Sequence, residues 1–321
     1  MKEGQLVDVL REYLLCCRIE GKSPRTIAWY RQKLEYFDEF LRRDDHSRRM
    51  VEIRTPDLRS FINHLQTEVM ADANNPYKPE RNQRLSPHTV AGYVRTLKAF
   101  FSWAVREGLI SDNPAARVSV PKTPSLVMRS FSDDELSALL GEIDLSRPTG
   151  PRDYAILVLL LDTGIRASEL VGLRLYDLHL EERWFKVFGK GGKERLIPTG
   201  YSCQRAVWRY VKRLRPEPRI ATIDSVFLTR DGRPLTAHRL YEIVSDACKR
   251  AGIKGKRLGP HSCRHTYARK FLMNGGDLLT LQRILGHSSL DVVKLYVALT
   301  TDDILRKQLR FTPMDRILVR A

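Results

Sequence analysis

Several side chains in this 321-residue sequence have types and an order suited to chemistry on an anion. Arg166 and Glu169 stand three apart in "TGIRASELVGL", and Lys190 and Lys193 flank the glycines of "GKGGKERLIP". His261 and Arg264 stand three apart in "GPHSCRH", and His287 and Tyr296 nine apart in "LGHSSLDVVKLY". Arginines offer planar, permanently charged forks for phosphate oxygens. Histidine and lysine can move protons near neutral pH, and a phenol can act as a nucleophile where the developing charge is neutralised. Taken singly, each piece has a plainer meaning. Arg166 with Glu169 could be a surface ion pair, His261 with Arg264 a helix cap, and Tyr296 a core residue with its hydroxyl at the edge. "GKGGK" could be a basic hairpin tip, and it lacks the spacing of a P-loop.

Local sequence signals say how such residues would be placed. Gly164 is expected to end one helix and start another, with Arg166 in its first turn and Glu169 orienting the guanidinium. Pro260 marks a helix start, which puts His261 and Arg264 one turn apart on one face. A helix N-terminus lowers a histidine pKa and favours a bound phosphate. The breaks at 274–277 and 286–289 would fold the following segments back, returning His287 and Tyr296 towards the same spot.

The elements around these residues are mostly helical. Ser23-Pro24, Thr55-Pro56 and Ser86-Pro87 read as capping residues followed by a proline at the first helical position. Ile27, Leu34, Phe37 and Leu41 give one apolar face, and Val90, Val94, Leu97, Phe101 and Val105 another. With residues 4–18 they predict a four-helix bundle, and residues 71–84 read as an exposed loop. Pro114, Pro121 and Pro124 mark a linker over 111–128. Ser132 and Glu135 have capping-box spacing. "DYAILVLLLDTG" is apolar around most of its circumference and should be a buried central helix. "RWFKVFGKGGKERLIPTG" reads as one hairpin. The fold class is therefore mainly α with a small β-sheet (α+β) in the second domain, preceded by an N-terminal helical bundle.

Composition narrows the partners. Lys plus Arg number 55 against 38 Asp plus Glu, a formal charge of +17 that favours a polyanion, nucleic acid above all. Five cysteines form no C-x-x-C pair, so neither a disulfide framework nor a zinc site is expected. The run "AILVLLL" is far short of the roughly 20 residues that span a bilayer. A soluble, cytoplasmic protein with no membrane partner is the expectation.

Order and spacing together are far more specific than any one motif. Arg166, a hairpin lysine, His-x-x-Arg, a later His and then Tyr296 resemble the tyrosine recombinases, the family of phage integrases and Xer-type resolving enzymes. The resemblance covers essentially the whole chain. It implies a core-binding, SAM-like helical domain over 1–110, the linker 111–128, and a catalytic domain with a C-terminal helix over 129–321, forming a two-domain clamp on double-stranded DNA. It implies Tyr296 as the nucleophile, giving a 3′-phosphotyrosyl link and a free 5′-hydroxyl. Lys190 matches the family's general acid, with Lys193 as the alternative. His261 would handle the tyrosine proton or contact the phosphate, His287 would hydrogen-bond a phosphate oxygen, and Glu169 would brace the site. No cofactor, metal or ATP is implied. Four protomers would pair two sites, as a homo-oligomer or with a related recombinase, and residues 302–312 are the candidate docking helix. A type IB topoisomerase-like enzyme and a non-catalytic DNA-binding regulator of the same fold are the alternatives. Cys263 departs from the aliphatic residue usual at its position, as does the absence of a histidine two positions after Tyr296.

Overall fold

The computed structural model describes residues 5–43, 49–71, 81–124, 129–189, 192, 194–255 and 258–286. The chain divides into two compact units, Met1–Leu126 and Val127–Ala321.

In the first unit α1 (Leu6–Ile19), α2 (Pro24–Arg42), α3 (Thr55–Thr67) and α4 (Pro87–Arg106) converge on one core. Leu34, Phe37, Leu58, Phe61, Phe100 and Phe101 are its fully buried centre. Each such side chain contributes about 1.5–3 kcal/mol through the surface it removes from water. Ser23 and Ser86 cap as their sequence implies, accepting from the Thr26 and Thr89 N–H groups. Thr55 does not. It is the first helical residue of α3, Arg54 occupies the cap position, and the Asp57 carboxylate takes the Arg54 N–H. The Thr55 hydroxyl instead donates to Pro114 O at 2.8 Å, a tertiary partner that outcompetes the local cap.

Two further departures come from pairing. The segment read as a loop over 71–84 supplies strands, β1 (Met70–Ala71) antiparallel to β2 (Arg81–Arg84), although its polar composition has no strand-like alternation. The first part of the proline-rich segment packs on the bundle: Ala115 and Val118 are buried, and Lys98 donates to Ala115 O and Ala116 O.

The second unit is built around α6 (Gly150–Thr163), whose Ala155, Ile156, Leu157, Leu159 and Leu160 are all fully buried. The element before it, α5 (Asp133–Gly141), begins at the reciprocal Ser132–Glu135 cap. A short helix, α7 (Ala167–Gly172), follows. The hairpin is present as β4 (Trp184–Phe188) and β5 (Glu194–Pro198), in a register that pairs Phe185 with Ile197 and both with the core. A third strand, β3 (Leu178–His179), pairs with β4 to give sheet order β3-β4-β5. Then come α8 (Tyr201–Arg209), continued by a π-helical turn over Tyr210–Leu214, α9 (Ala237–Arg250), α10 (Pro260–Met273) and α11 (Leu278–Leu285). No helix among the described residues is long and apolar enough to cross a membrane. All five cysteines carry free thiols, and Cys263 lies fully buried in the core, a small hydrophobe where an aliphatic side chain would also fit.

Candidate active site

The site forms where three helix ends meet. Gly164 closes α6 in the left-handed conformation at φ +60°, and Gly286 closes α11 at φ +63°. Glycine tolerates that region without strain. Space demands it as well: a Cβ on Gly164 would stand 2.5 Å from the Tyr267 ring and 2.9 Å from Leu285 Cδ2. The third end is the start of α10, where Pro260 sits in the first turn.

Arg264, on α10, is 4% exposed. Its Nη1 donates to Gly164 O at 2.6 Å and its Nη2 to Leu285 O at 2.7 Å, so one guanidinium ties the end of α6 to the end of α11. Arg166 stands at the N-cap of α7, one position earlier than its sequence predicts, with its backbone N–H on Glu169 Oε2. The Glu169 carboxylate thus accepts from both the backbone and the side chain of Arg166. The Arg166 Nη1 donates to Glu169 Oε1 at 2.8 Å and its Nη2 to Gly286 O at 2.9 Å. Leu285 O and Gly286 O are consecutive carbonyls, so the two guanidiniums lie side by side on one helix terminus. The negative end of the helix dipole favours cations there.

Arg195 on β5 completes this arrangement. It grips Glu169 with two bonds, Nη1 to Oε1 at 2.8 Å and Nη2 to Oε2 at 2.7 Å, while its Nε donates to Ile284 O at 2.9 Å. The last three carbonyls before His287 are therefore each held by a different arginine. Sequence reasoning missed Arg195, two residues past Lys193, because a basic residue on a hairpin strand has no local signature. The one available hint was that Arg195, two residues before Ile197, shares its inward face of the strand.

Burial pushes the Glu169 pKa up, but the Arg195 fork and the Arg166 bonds outweigh it and hold the carboxyl down at about 2. It stays ionised. Crowding by protein atoms, then the charges of Arg264 and Arg166, lower the His261 pKa, although its outer side is exposed. His265 is pushed down to about 4 by burial, His261 and Arg264. Both imidazoles are neutral near pH 7, able to accept a proton or to donate one hydrogen bond. Among the described residues no three His, Cys, Asp or Glu side chains gather as a metal site would need.

The structure thus brings together Arg166, Glu169 and Arg264, with His261 one turn before Arg264 on the same helix. Lys190, Lys193, His287, Tyr296 and residues 302–312 lie outside the described residues. A pair of fixed guanidiniums beside a neutral imidazole can neutralise two oxygens of a phosphodiester and shuttle a proton next to it.

The chain is similar to known proteins over most of its length. Residues 129–302 match the phage integrase family, and residues 5–120 the phage integrase SAM-like domain. A "Tyrosine recombinase XerD" of Listeria innocua is 32% identical over 296 residues, covering 91% of this chain and 94% of the relative. A protein of the same name from Staphylococcus aureus is 31% identical over 307 residues, covering 95% and 98%. Among solved structures, the Tn1549 transposon integrase in complex with a circular intermediate DNA has the same fold with a TM-score of 0.71 at 22% identity, covering 94% and 99%. A lambda integrase dimer bound to a core site superposes with a TM-score of 0.68 at 18% identity, covering 90% and 97%.

Proposed function

The chain belongs to the phage integrase family of tyrosine recombinases, and on that premise we propose how it works as a site-specific DNA recombinase. Its substrate is duplex DNA, in keeping with the formal charge of +17. Arg166 and Arg264 each take a non-bridging oxygen of the scissile phosphate. The Tyr296 oxygen attacks phosphorus, the bond to the 5′-oxygen breaks, and the 3′-phosphate stays on the enzyme. Lys190, or Lys193 beside it, protonates the leaving 5′-oxygen, which would otherwise depart as a basic alkoxide. His261 takes the tyrosine proton or holds the phosphate, and His287 hydrogen-bonds a phosphate oxygen. The link conserves the phosphodiester energy, so a different 5′-hydroxyl can reverse the reaction without ATP.

Residues 1–110 would grip DNA as the SAM-like unit, 111–128 would connect, and 129–321 would carry the chemistry, in the cytoplasm where DNA is available. Copies of the chain, or the chain with a related recombinase, would assemble as four protomers on paired sites. The observation that carries this reading is the pairing of Arg264 and Arg166 on the consecutive carbonyls of Leu285 and Gly286. It presents two permanent charges on one rigid terminus, immediately before the segment that holds His287 and Tyr296.

The test is a nicked suicide duplex carrying the recombination site, incubated without divalent metal. The wild-type protein should give a covalent protein–DNA adduct, and Tyr296→Phe should bind the same duplex and give none. An undiminished adduct from Tyr296→Phe would reject the nucleophile. Relaxation of supercoiled plasmid lacking any site would instead indicate a topoisomerase.

A further inference from the structure

The arginine that the sequence did not single out sits closest to the balance of charge at the site. We propose that Arg195 is a positioning residue for phosphate cleavage: it occupies Glu169 so that Arg166 keeps its charge for DNA, and it fixes the α11 terminus that both phosphate-binding arginines share. This rests on the recombinase reading given above.

Charge motivates the first half. A buried carboxylate bonded to one guanidinium forms a closed, nearly neutral pair, and its desolvation makes the attraction strong. Here Glu169, with its side chain 3% exposed, is shared between two guanidiniums, Arg166 and Arg195. Arg195 donates one hydrogen bond to each carboxylate oxygen, and the Arg166 side chain donates to Oε1 through a single Nη. With Arg264, bonded to Gly164 O and Leu285 O, counted as well, three guanidiniums are balanced by one carboxylate and leave two positive charges beside a reacting phosphodiester. Removing Arg195 leaves one. Negative charge on the non-bridging oxygens grows towards the transition state, so that deficit falls on the rate rather than on ground-state binding.

Position motivates the second half. The Arg195 Nε holds Ile284 O, one residue before the carbonyl of Arg264 and two before that of Arg166. Gly286 makes room for it: a Cβ there would stand 3.0 to 3.1 Å from the Arg195 guanidinium atoms. A lysine could not reproduce this, since one ammonium cannot span both carboxylate oxygens and a carbonyl.

The experiment measures single-turnover adduct formation on the suicide duplex, beside DNA affinity and thermal melting, for wild type, Arg195→Ala, Arg195→Lys and Arg195→Ala combined with Glu169→Gln. Arg195→Ala should stay folded, bind DNA within about 3-fold of wild type, and cleave roughly 100-fold slower. Removing the unmatched carboxylate should recover part of the rate, so the double variant should cleave at least about 10-fold faster than Arg195→Ala. A purely structural arginine would lower binding, melting and rate together, with no recovery in the double variant. Should Arg195→Ala fail to fold, Arg195→Lys decides, with an expected loss of about 10-fold in rate. An Arg195→Ala or Arg195→Lys rate equal to wild type overturns the proposal, as does a double variant no faster than Arg195→Ala. Wild type giving no adduct would remove the recombinase reading and this proposal together, whereas a wild-type rate from Arg195→Ala removes this proposal alone.

Discussion

The helical bundle and the arginine-bearing site bury positive charge in opposite ways. In the first unit Lys33, 7% exposed, lies over the rings of Trp29 and Tyr93, at 4.8 and 4.0 Å from their centroids. In the second unit Arg264, 4% exposed, is clasped by two backbone carbonyls. Aromatic faces attract a cation with little directional demand, and burial lowers the Lys33 pKa. Carbonyls fix a guanidinium in orientation, and its charge cannot be titrated away. The bundle therefore tolerates a charge, while the site builds its geometry around one.

Breaking the second arrangement should have the largest effect. Arg264→Ala orphans two buried carbonyls at about 1–3 kcal/mol each, so unfolding should require about 2–6 kcal/mol less, and cleavage should disappear. Chemical denaturation read beside adduct formation checks both. Arg264→Lys should lose cleavage as well, because an ammonium cannot reach both helix ends in the same plane.

Next in size is acid. Glu169 has a folded pKa of about 2 against an ordinary 4.5, so the unfolded chain binds its proton first. Its stabilisation is fully present above about 4.5 and is lost as pH falls towards 2, on the order of 3 kcal/mol. His265, at about 4 in the fold against 6.5, adds to the same loss between those two values. Urea titrations from pH 7 to pH 3 should show stability falling with pH, with a shallower slope in Glu169→Gln below 4.5.

Gly164→Ala tests the junction without touching a charge. The φ of +60° and the 2.5 Å approach to Tyr267 should cost about 1–3 kcal/mol, measured as a lowered unfolding midpoint. The smallest change is expected in the bundle. Lys33→Met replaces a buried cation by an apolar chain of similar length and should shift stability by less than about 1 kcal/mol. It also carries a sign. The folded pKa of Lys33 lies below 10.5, so the unfolded state keeps that proton longer, and wild-type stability gains a rising contribution with pH through the alkaline window below 10.5. Lys33→Met should lack that contribution. A drop as large as that of Arg264→Ala would erase the contrast between the two regions.

Much of this was legible before any coordinates. The helix starts at Ser23, Ser86 and Ser132, the buried α6, the hairpin over 184–198 and the helix break at Gly286 follow from capping chemistry, periodicity and backbone freedom, all of which act within a few residues. Arg166, Glu169, His261 and Arg264 were legible because their types recur in a fixed order. Three things were not. Thr55 turns from its own helix start to Pro114, 59 residues away. Met70–Ala71 and the polar Arg81–Arg84 pair as strands. Arg195 reaches across 26 residues to Glu169 and 89 to Ile284.

The chain's own order of residues thus determined most of the helices, the central hairpin, and the set of arginines, carboxylate and histidine proposed to share one chemistry. Tertiary structure alone decided that Glu169 is shared by two guanidiniums, and that the carbonyls of Ile284, Leu285 and Gly286 each meet a different arginine. The reason is range. Caps and hydrophobic periods are settled by neighbours along the chain, whereas a guanidinium fork accepts whatever oxygens the packed helix ends bring within 3 Å of it.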